Sequence, residues 1–259
     1  LSFVLLIMAI VPVLYDKMPG RKFGLLYAVA FPFITGWLLV GGFGLSPVET
    51  DQFGGILLTL IIGVTGISFS LPIGVLLALG RRSKMPILRI MCTLFVEFIR
   101  GVPLIALLFI ASTMLNYFLP PGTDFDLLVR VLIMVTLFSA GYIAEVVRGG
   151  LQGIPSGQYE AAESLGLTYV KAHWLIILPQ ALIVALRPYG NEIILMIKGS
   201  AIVALVTVFD LMGETRRAFS RTYDFQMYIW AAVFYFVMVE TLRNVWNWLE
   251  AGLTRHLKR

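Results

Sequence analysis

The sequence predicts an all-α bundle of membrane-crossing helices, and three observations lead there. Of 259 residues, 59% are hydrophobic and only 14% charged, with a mean hydropathy of +0.88, far from the composition of water-soluble domains. The apolar residues gather in runs of about twenty. That is the length a helix needs to cross ~30 Å of hydrocarbon, where an unpaired backbone group finds no partner. The charged residues collect between those runs. A net charge of +5 and a pI near 9.4 would suggest nucleic acid in a soluble protein. Here the basic side chains flank apolar spans, where they set orientation, so nucleic-acid binding is set aside. One cysteine, Cys92, and two unclustered histidines leave no internal disulfide, no metal site and no redox chemistry.

Taken in order, the expected spans are 1–14, 23–41, 54–80, 90–119, 127–148, 179–209 and 226–249. The chain opens inside an apolar run without an initiator Met, so further residues are expected upstream. Lys17, Arg21 and Lys22 occupy the first connection, Glu49 and Asp51 the second, and Arg81, Arg82 and Lys84 the third. Asp124 and Asp126 occupy the fourth. The fifth, 149–178, follows Arg148 and carries Lys171, and the tail holds Arg255, Lys258 and Arg259. Basic connections alternate with acidic ones, which assigns the odd loops and the C-terminus to the cytoplasm. Loop 210–224 falls outside, its Arg216, Arg217 and Arg221 balanced by Asp210, Glu214 and Asp224. Tyr228 and Trp230 open the last span and Trp246 and Trp248 close it, as interface-seeking rings do. Residues 1–53 read as additional lipid-type helices ending in the linker GLSPVETDQFGG, and 54–259 as a core with polar residues inside its spans.

Loop 149–178 is the longest polar connection. Ser156 after Pro155 is an N-cap candidate, Glu160 lies near the positive end, and Gly166 suits the left-handed C′ position. A helix of ~15 Å is expected over 156–165. Thr168 can cap a second helix running through His173 and Trp174 toward Pro179. Ala161 and Ala162 would let another surface approach the backbone closely, or they belong to an ordinary surface helix; these residues alone allow both.

Spacing adds to this. Glu160, Ala161, Ala162, Gly166, Ile176, Leu178 and Pro179 resemble, position by position, the EAA loop of bacterial ATP-binding-cassette importer permeases. The resemblance implies that 160–166 is a coupling helix seated on a separate ATPase subunit. This sequence has no phosphate-binding GxxxxGK[ST] loop.

Ionisable groups inside spans face a partner or a cavity, because lipid penalises them. Glu97 and Arg100, one turn apart, are expected to pair, with a break between Arg100 and Pro103 where a backbone hydrogen bond is lost. The pair either steadies that kink or lines a substrate path. Arg187, Asn191 and Lys198 fall within about 40° of one another at 100° per residue, one polar stripe on an apolar helix. Pro188, Gly190, Gly199 and Ser200 open the backbone beside it, as in transporters with broken helices. The alternative is that Arg187 and Lys198 snorkel to the two interfaces. Glu240 and Arg243 read as a structural pair. No nucleophile–base motif joins Ser139, Ser200, Glu97 or Glu240, so no catalytic residue is assigned.

The phrases EFIRGVPLIALLF and ILPQAL, followed by Pro188, Asn191, Lys198 and Ser200, are similar to the polar amino acid uptake branch of these permeases. Residues 1–55 resemble the longer permease subunit of general L-amino acid importers. KGSAIV at 198–203 departs from relatives, which place Asp or Thr before Ser and Leu after it, and this leaves the substrate range open. The resemblance implies a type I importer permease fold with a five-helix core from Gly54 and extra N-terminal helices. It also implies a heterodimer with a homologous permease, two ATPase subunits that hold the ATP and magnesium, and no cofactor on this chain. A periplasmic amino-acid-binding protein would dock near 210–224 and 120–126. The place it implies is a bacterial inner membrane, the mechanism alternating access and the cargo an L-amino acid. An ion-coupled secondary transporter is the competing reading; it would need its own coupling carboxylates and no docking helix.

Overall fold

The computed structural model describes residues 52–114 and 126–254, with Gly44, Glu49, Tyr117 and Pro120. The expected spans 1–14 and 23–41 and the tail cations Arg255, Lys258 and Arg259 lie outside the described residues. The chain divides into two units, Leu1–Phe53 and Gly54–Arg259, and the helices are those of the second. They are α1 (Gly55–Arg81), α2 (Pro86–Gly101), α3 (Leu104–Phe109, continued by π-helical Ile110–Met114) and α4 (Leu127–Gln152). Then come α5 (Ser156–Ser164) and α6 (Tyr169–Ala172), which passes through the π-helical segment His173–Ile177 into α7 (Leu178–Gly199) and the 3-10 segment Ser200–Val206. Last are α8 (Leu211–Thr222) and α9 (Gln226–Leu253). Among the described residues there is no strand, only one bridge between Gly55 and Asp210.

Three helices are long and apolar enough to cross a membrane: Gly55–Arg81, Leu127–Gln152 and the continuous run Tyr169–Val206. The α2–α3 pair makes a fourth. α9 has the length, 28 residues or ~42 Å, but less apolarity, because it carries Glu240, Arg243 and Glu250. Glu240 is paired with Arg243 at 2.6 Å, as the sequence led us to expect.

α1 and α4 form the centre. Gly66, Ser70, Gly74 and Ala78 recur every fourth residue and are all buried, a stripe of small side chains that lets two helix backbones come close where lipid supplies no hydrophobic drive. A Cβ at Gly74 would stand 2.6 Å from Ile143 Cγ2 and 3.1 Å from the Ala144 nitrogen. At Gly150 of α4 the added atom would strike the Ala181 carbonyl of α7, so α4 is in close contact on that side too. Ile67, Val75, Ile143, Val147, Leu151, Ile154, Ile177 and Leu178 join around these helices in one buried cluster.

The span expected at 90–119 is not one rod. α2 ends at Gly101, Val102 is extended, and Pro103 starts α3 at φ −58°. The two halves meet at 103°, so the kink read from Pro103 is a change of direction by more than a right angle. The loop expected at 210–224 is also a helix. Asp210 caps α8 by accepting from the Gly213 N–H at 3.0 Å, which places the acidic side chain at the positive helix end.

Candidate coupling helix and polar face

α5 stands on the core through a few contacts. Pro155, extended at φ −58° and ψ 142°, occupies the N-cap position and Ser156 is already helical. The expectation of a Ser156 cap is thus corrected: proline's fixed φ supplies the entry, and no side chain caps the first turn. The other end matches the sequence reading. Gly166 has φ +68°, its N–H donates to the Glu163 carbonyl at 2.8 Å and that of Leu167 to the Ala162 carbonyl at 3.1 Å. These two bonds make a Schellman turn, whose left-handed residue favours glycine. Thr168 begins the next helix, although its hydroxyl caps nothing.

The seven positions of the loop pattern divide between surface and anchor. Glu160, Ala161, Gly166 and Pro179 are exposed, and Ile176 is half-buried against the core. Ala162, by contrast, is 1% exposed and Leu178 6%. Ala162 therefore does not offer the contact surface expected of it. It faces the body and holds the helix down. Tyr159 donates to the Leu151 carbonyl at 3.3 Å, Gln180 donates to Gln158 at 3.1 Å, and the Tyr159 and Tyr169 rings pack on His173. Beyond the helix, Leu165, Tyr169, Val170 and Trp174 are each more than half exposed. A rigid knob with an apolar tip results.

Glu97 and Arg100 do not pair with each other. Glu97 accepts from Arg81 at 2.9 Å and Arg100 reaches Glu145 at 3.2 Å. Glu145 also accepts from Arg81 and from Arg148, the latter at 2.7 Å. The partners missed in the sequence, Arg81 and Glu145, lie 64 residues apart, beyond any local spacing rule. One carboxylate thereby ties α1, α2 and α4 together.

The stripe on α7 is real as a surface: Arg187, Asn191 and Lys198 are all exposed. Arg187 reaches Glu250 of α9 at 3.2 Å, and the Tyr189 ring lies 5.3 Å from that of Trp246. Ser200 does not belong to that face. It is 1% exposed and donates to the Ile197 carbonyl at 2.9 Å, with Asp210 at 3.4 Å. Glu97 and Arg100 are likewise apart from the stripe, joined instead to Arg81 and Glu145.

Two buried polar groups carry no motif and were missed. Asp210 is fully buried and accepts from Tyr235 at 3.0 Å, while the Leu211 N–H donates to Thr59 Oγ1 at 3.0 Å. The start of the 3-10 segment at Ser200, the first turn of α8 and Tyr235 of α9 thus meet at one carboxylate, with Thr59 of α1 bonded to the adjoining backbone. Thr207, just before it, sits at φ +65°, strained for a β-branched residue. Arg130, 8% exposed, donates to the Ser112 carbonyl at 2.7 Å inside the π-helical segment, whose irregular turn frees that oxygen.

Comparison with known proteins follows the same outline. Residues 70–259 match the family described as binding-protein-dependent transport system inner membrane component. The chain is 44% identical over 99% of its length to the inner membrane amino-acid ABC transporter permease protein YhdY of Escherichia coli (strain K12), covering 72% of that protein. It is 50% identical over 82% of its length to the glutamate/glutamine/aspartate/asparagine transport system permease protein BztC of Rhodobacter capsulatus, of which it spans half. A crystal structure of an amino acid ABC transporter with histidines superposes with a TM-score of 0.68 at 32% identity, over 76% of this chain and 92% of that one. The methionine transporter MetNI in an inward-facing form, 23% identical over 76% of this chain and 91% of that one, shares the fold at a TM-score of 0.62.

Proposed function

The chain belongs to the family of binding-protein-dependent transport system inner membrane components, and from that premise we propose that it carries L-amino acids inward as one permease of an ATP-driven heterodimer. Family membership sets aside the ion-coupled reading. ATP and magnesium would sit on separate ATPase subunits, with no cofactor on this chain. A periplasmic amino-acid-binding protein would dock outside, near 210–224 and 120–126. Residues 54–259 would form the permease core and 1–53 the added helices, in an inner membrane with the C-terminus in the cytoplasm.

One observation carries the reading. An exposed Glu160–Ala161 ridge, closed by the Gly166 turn, is held to the bundle on its opposite side, where Ala162 is 1% exposed and Tyr159 packs on the cluster containing Ile154 and Ile177. Closure of an ATPase partner against that ridge would push a rigid body and shift the balance between inward- and outward-open arrangements. The exposed stripe of Arg187, Asn191 and Lys198 would line the aqueous path facing the second permease, its positive groups attracting the cargo carboxylate. Family resemblance to general L-amino acid importers supports a broad cargo range and a second, different permease.

The test is uptake of a panel of labelled amino acids in proteoliposomes containing all subunits and binding protein. Uptake should require internal ATP and persist when an uncoupler collapses the proton gradient. Uptake that survives omission of the ATPase would overturn the proposal.

A further inference from the structure

A cleft of about 550 Å³ opens where the end of α1 meets the first turns of α2 and the last turns of α4. Four arginines line it, Arg81, Arg82, Arg89 and Arg148, with Ile90 and Leu94 as its apolar wall. No carboxylate lines it; Glu145 and Glu97 hold Arg81 and Arg148 from behind. Among the described residues neither Arg82 nor Arg89 forms an ion pair. The Arg82 guanidinium instead lies 5.7 Å from the centre of the Tyr159 ring, with Nη1 donating to its hydroxyl at 3.3 Å. Beside the cleft, Ile87, Ile90, Met91 and Leu94 continue one helix face and are 55–74% exposed.

We propose that this cleft binds the headgroup of an anionic phospholipid of the cytoplasmic leaflet, with its acyl chains along the outer face of α2. Three features select that occupant. The charge is positive and partly unneutralised, which suits a phosphate diester. The depth is right, since the charge pattern assigns Arg81, Arg82 and Lys84 to the inner interface, where anionic lipids concentrate. The adjoining wall is apolar and continuous, which a soluble anion does not need and a lipid does. Through Arg82 the headgroup would touch Tyr159, the residue that braces α5, so bound lipid would stiffen the root of the coupling helix. The inference rests on the chain lying in a membrane and not on its cargo, so lipid retention can fail while ATP-driven uptake persists.

The experiment is native mass spectrometry of the intact transporter in detergent, titrated with phosphatidylglycerol, phosphatidylcholine or inorganic phosphate. Wild type should retain phosphatidylglycerol saturably and phosphatidylcholine poorly, with phosphate at about ten millimolar failing to displace it. Arg89→Gln, which removes an exposed side chain with no ion pair, should weaken retention on the order of fivefold, and Arg82→Gln with Arg89→Gln on the order of 25-fold. Arg89→Lys should restore most of it, and Arg221→Gln, an equal charge loss elsewhere, should leave it unchanged. Equal retention by wild type and Arg89→Gln, equal binding of phosphatidylcholine, or displacement by free phosphate would each overturn the proposal.

Discussion

The Tyr235 hydroxyl donates to Oδ2 of Asp210 at 3.0 Å, and so fastens the last long helix to the carboxylate that caps α8. Tyr235→Phe leaves that oxygen with only the Ser200 hydroxyl at 3.4 Å. A buried acceptor deprived of a donor costs about 1–3 kcal/mol. The thermal midpoint of the purified protein should fall accordingly, and an unchanged midpoint would remove Asp210 from its place as the junction of these helices.

The same carboxyl predicts a pH dependence. Burial pushes Asp210 above its ordinary value of 3.8, against hydrogen bonds from Gly213, Tyr235 and Ser200 that lower it. The folded state therefore holds this proton more tightly than the unfolded one. Its contribution to stability is full below pH 3.8 and is lost as the pH rises through the raised folded value. Asp210→Asn cannot ionise and should flatten that slope. Melting curves of wild type and variant from pH 3.8 upward provide the comparison, and parallel profiles would contradict it.

Ala161 and Ala162 should behave oppositely. Ala162→Leu forces a larger side chain into a site 1% exposed and should cost about 1–3 kcal/mol. Ala161→Leu points outward and should leave stability within ~0.5 kcal/mol while weakening copurification of the ATPase. Similar losses of stability in both would mean that the helix is rotated from the orientation described.

Gly166→Asp, or Glu160→Lys combined with Ala161→Asp, should abolish transport and ATPase copurification and leave membrane insertion intact. At Gly166 the added Cβ meets nothing within 4 Å, so the penalty is backbone strain at φ +68°, about 1–2 kcal/mol. Undiminished copurification in a pull-down would count against docking at this helix.

Glu145→Gln removes the one carboxylate shared by Arg81, Arg100 and Arg148. Losing these charge-assisted bonds should cost about 1.5–3 kcal/mol. Glu240→Gln, which breaks an exposed pair within α9, should cost no more than ~0.5 kcal/mol. Detergent melting of the two variants side by side distinguishes a junction from a surface pair.

Much of this was legible in the chain itself, for reasons of range. The Pro103 break, the Gly166 turn and the Glu240–Arg243 pair depend on residues within one helical turn, where propensity and spacing suffice. What local pattern could not reveal were choices made by distant segments. Arg81 at the end of α1 takes Glu97 while Arg100 turns to Glu145 of α4, and Ala162 rather than Ala161 faces inward on the side where Tyr159, three residues earlier, packs on the cluster that holds Ile154 and Ile177. The charges of 210–224 suggest a loop, whereas the Asp210 cap and the burial of Leu211, Gly213 and Thr215 go with a helix. Helical angle alone places Arg187, Asn191 and Lys198 on one face, whereas Ser200 is buried at a change to 3-10 winding that no spacing rule anticipates.

The uninterrupted helical run from Tyr169 to Val206 is 38 residues long, on the order of 55 Å. One end starts beside the Glu160–Ala161 ridge and the other stops a few residues before Asp210. A rod of that length acts as a lever. Tilting it by about 5° around one tip sweeps the other through roughly 5 Å, close to the width of an amino acid side chain. A small nudge at one end is thereby geared into a displacement at the other on the scale of the cargo proposed for it.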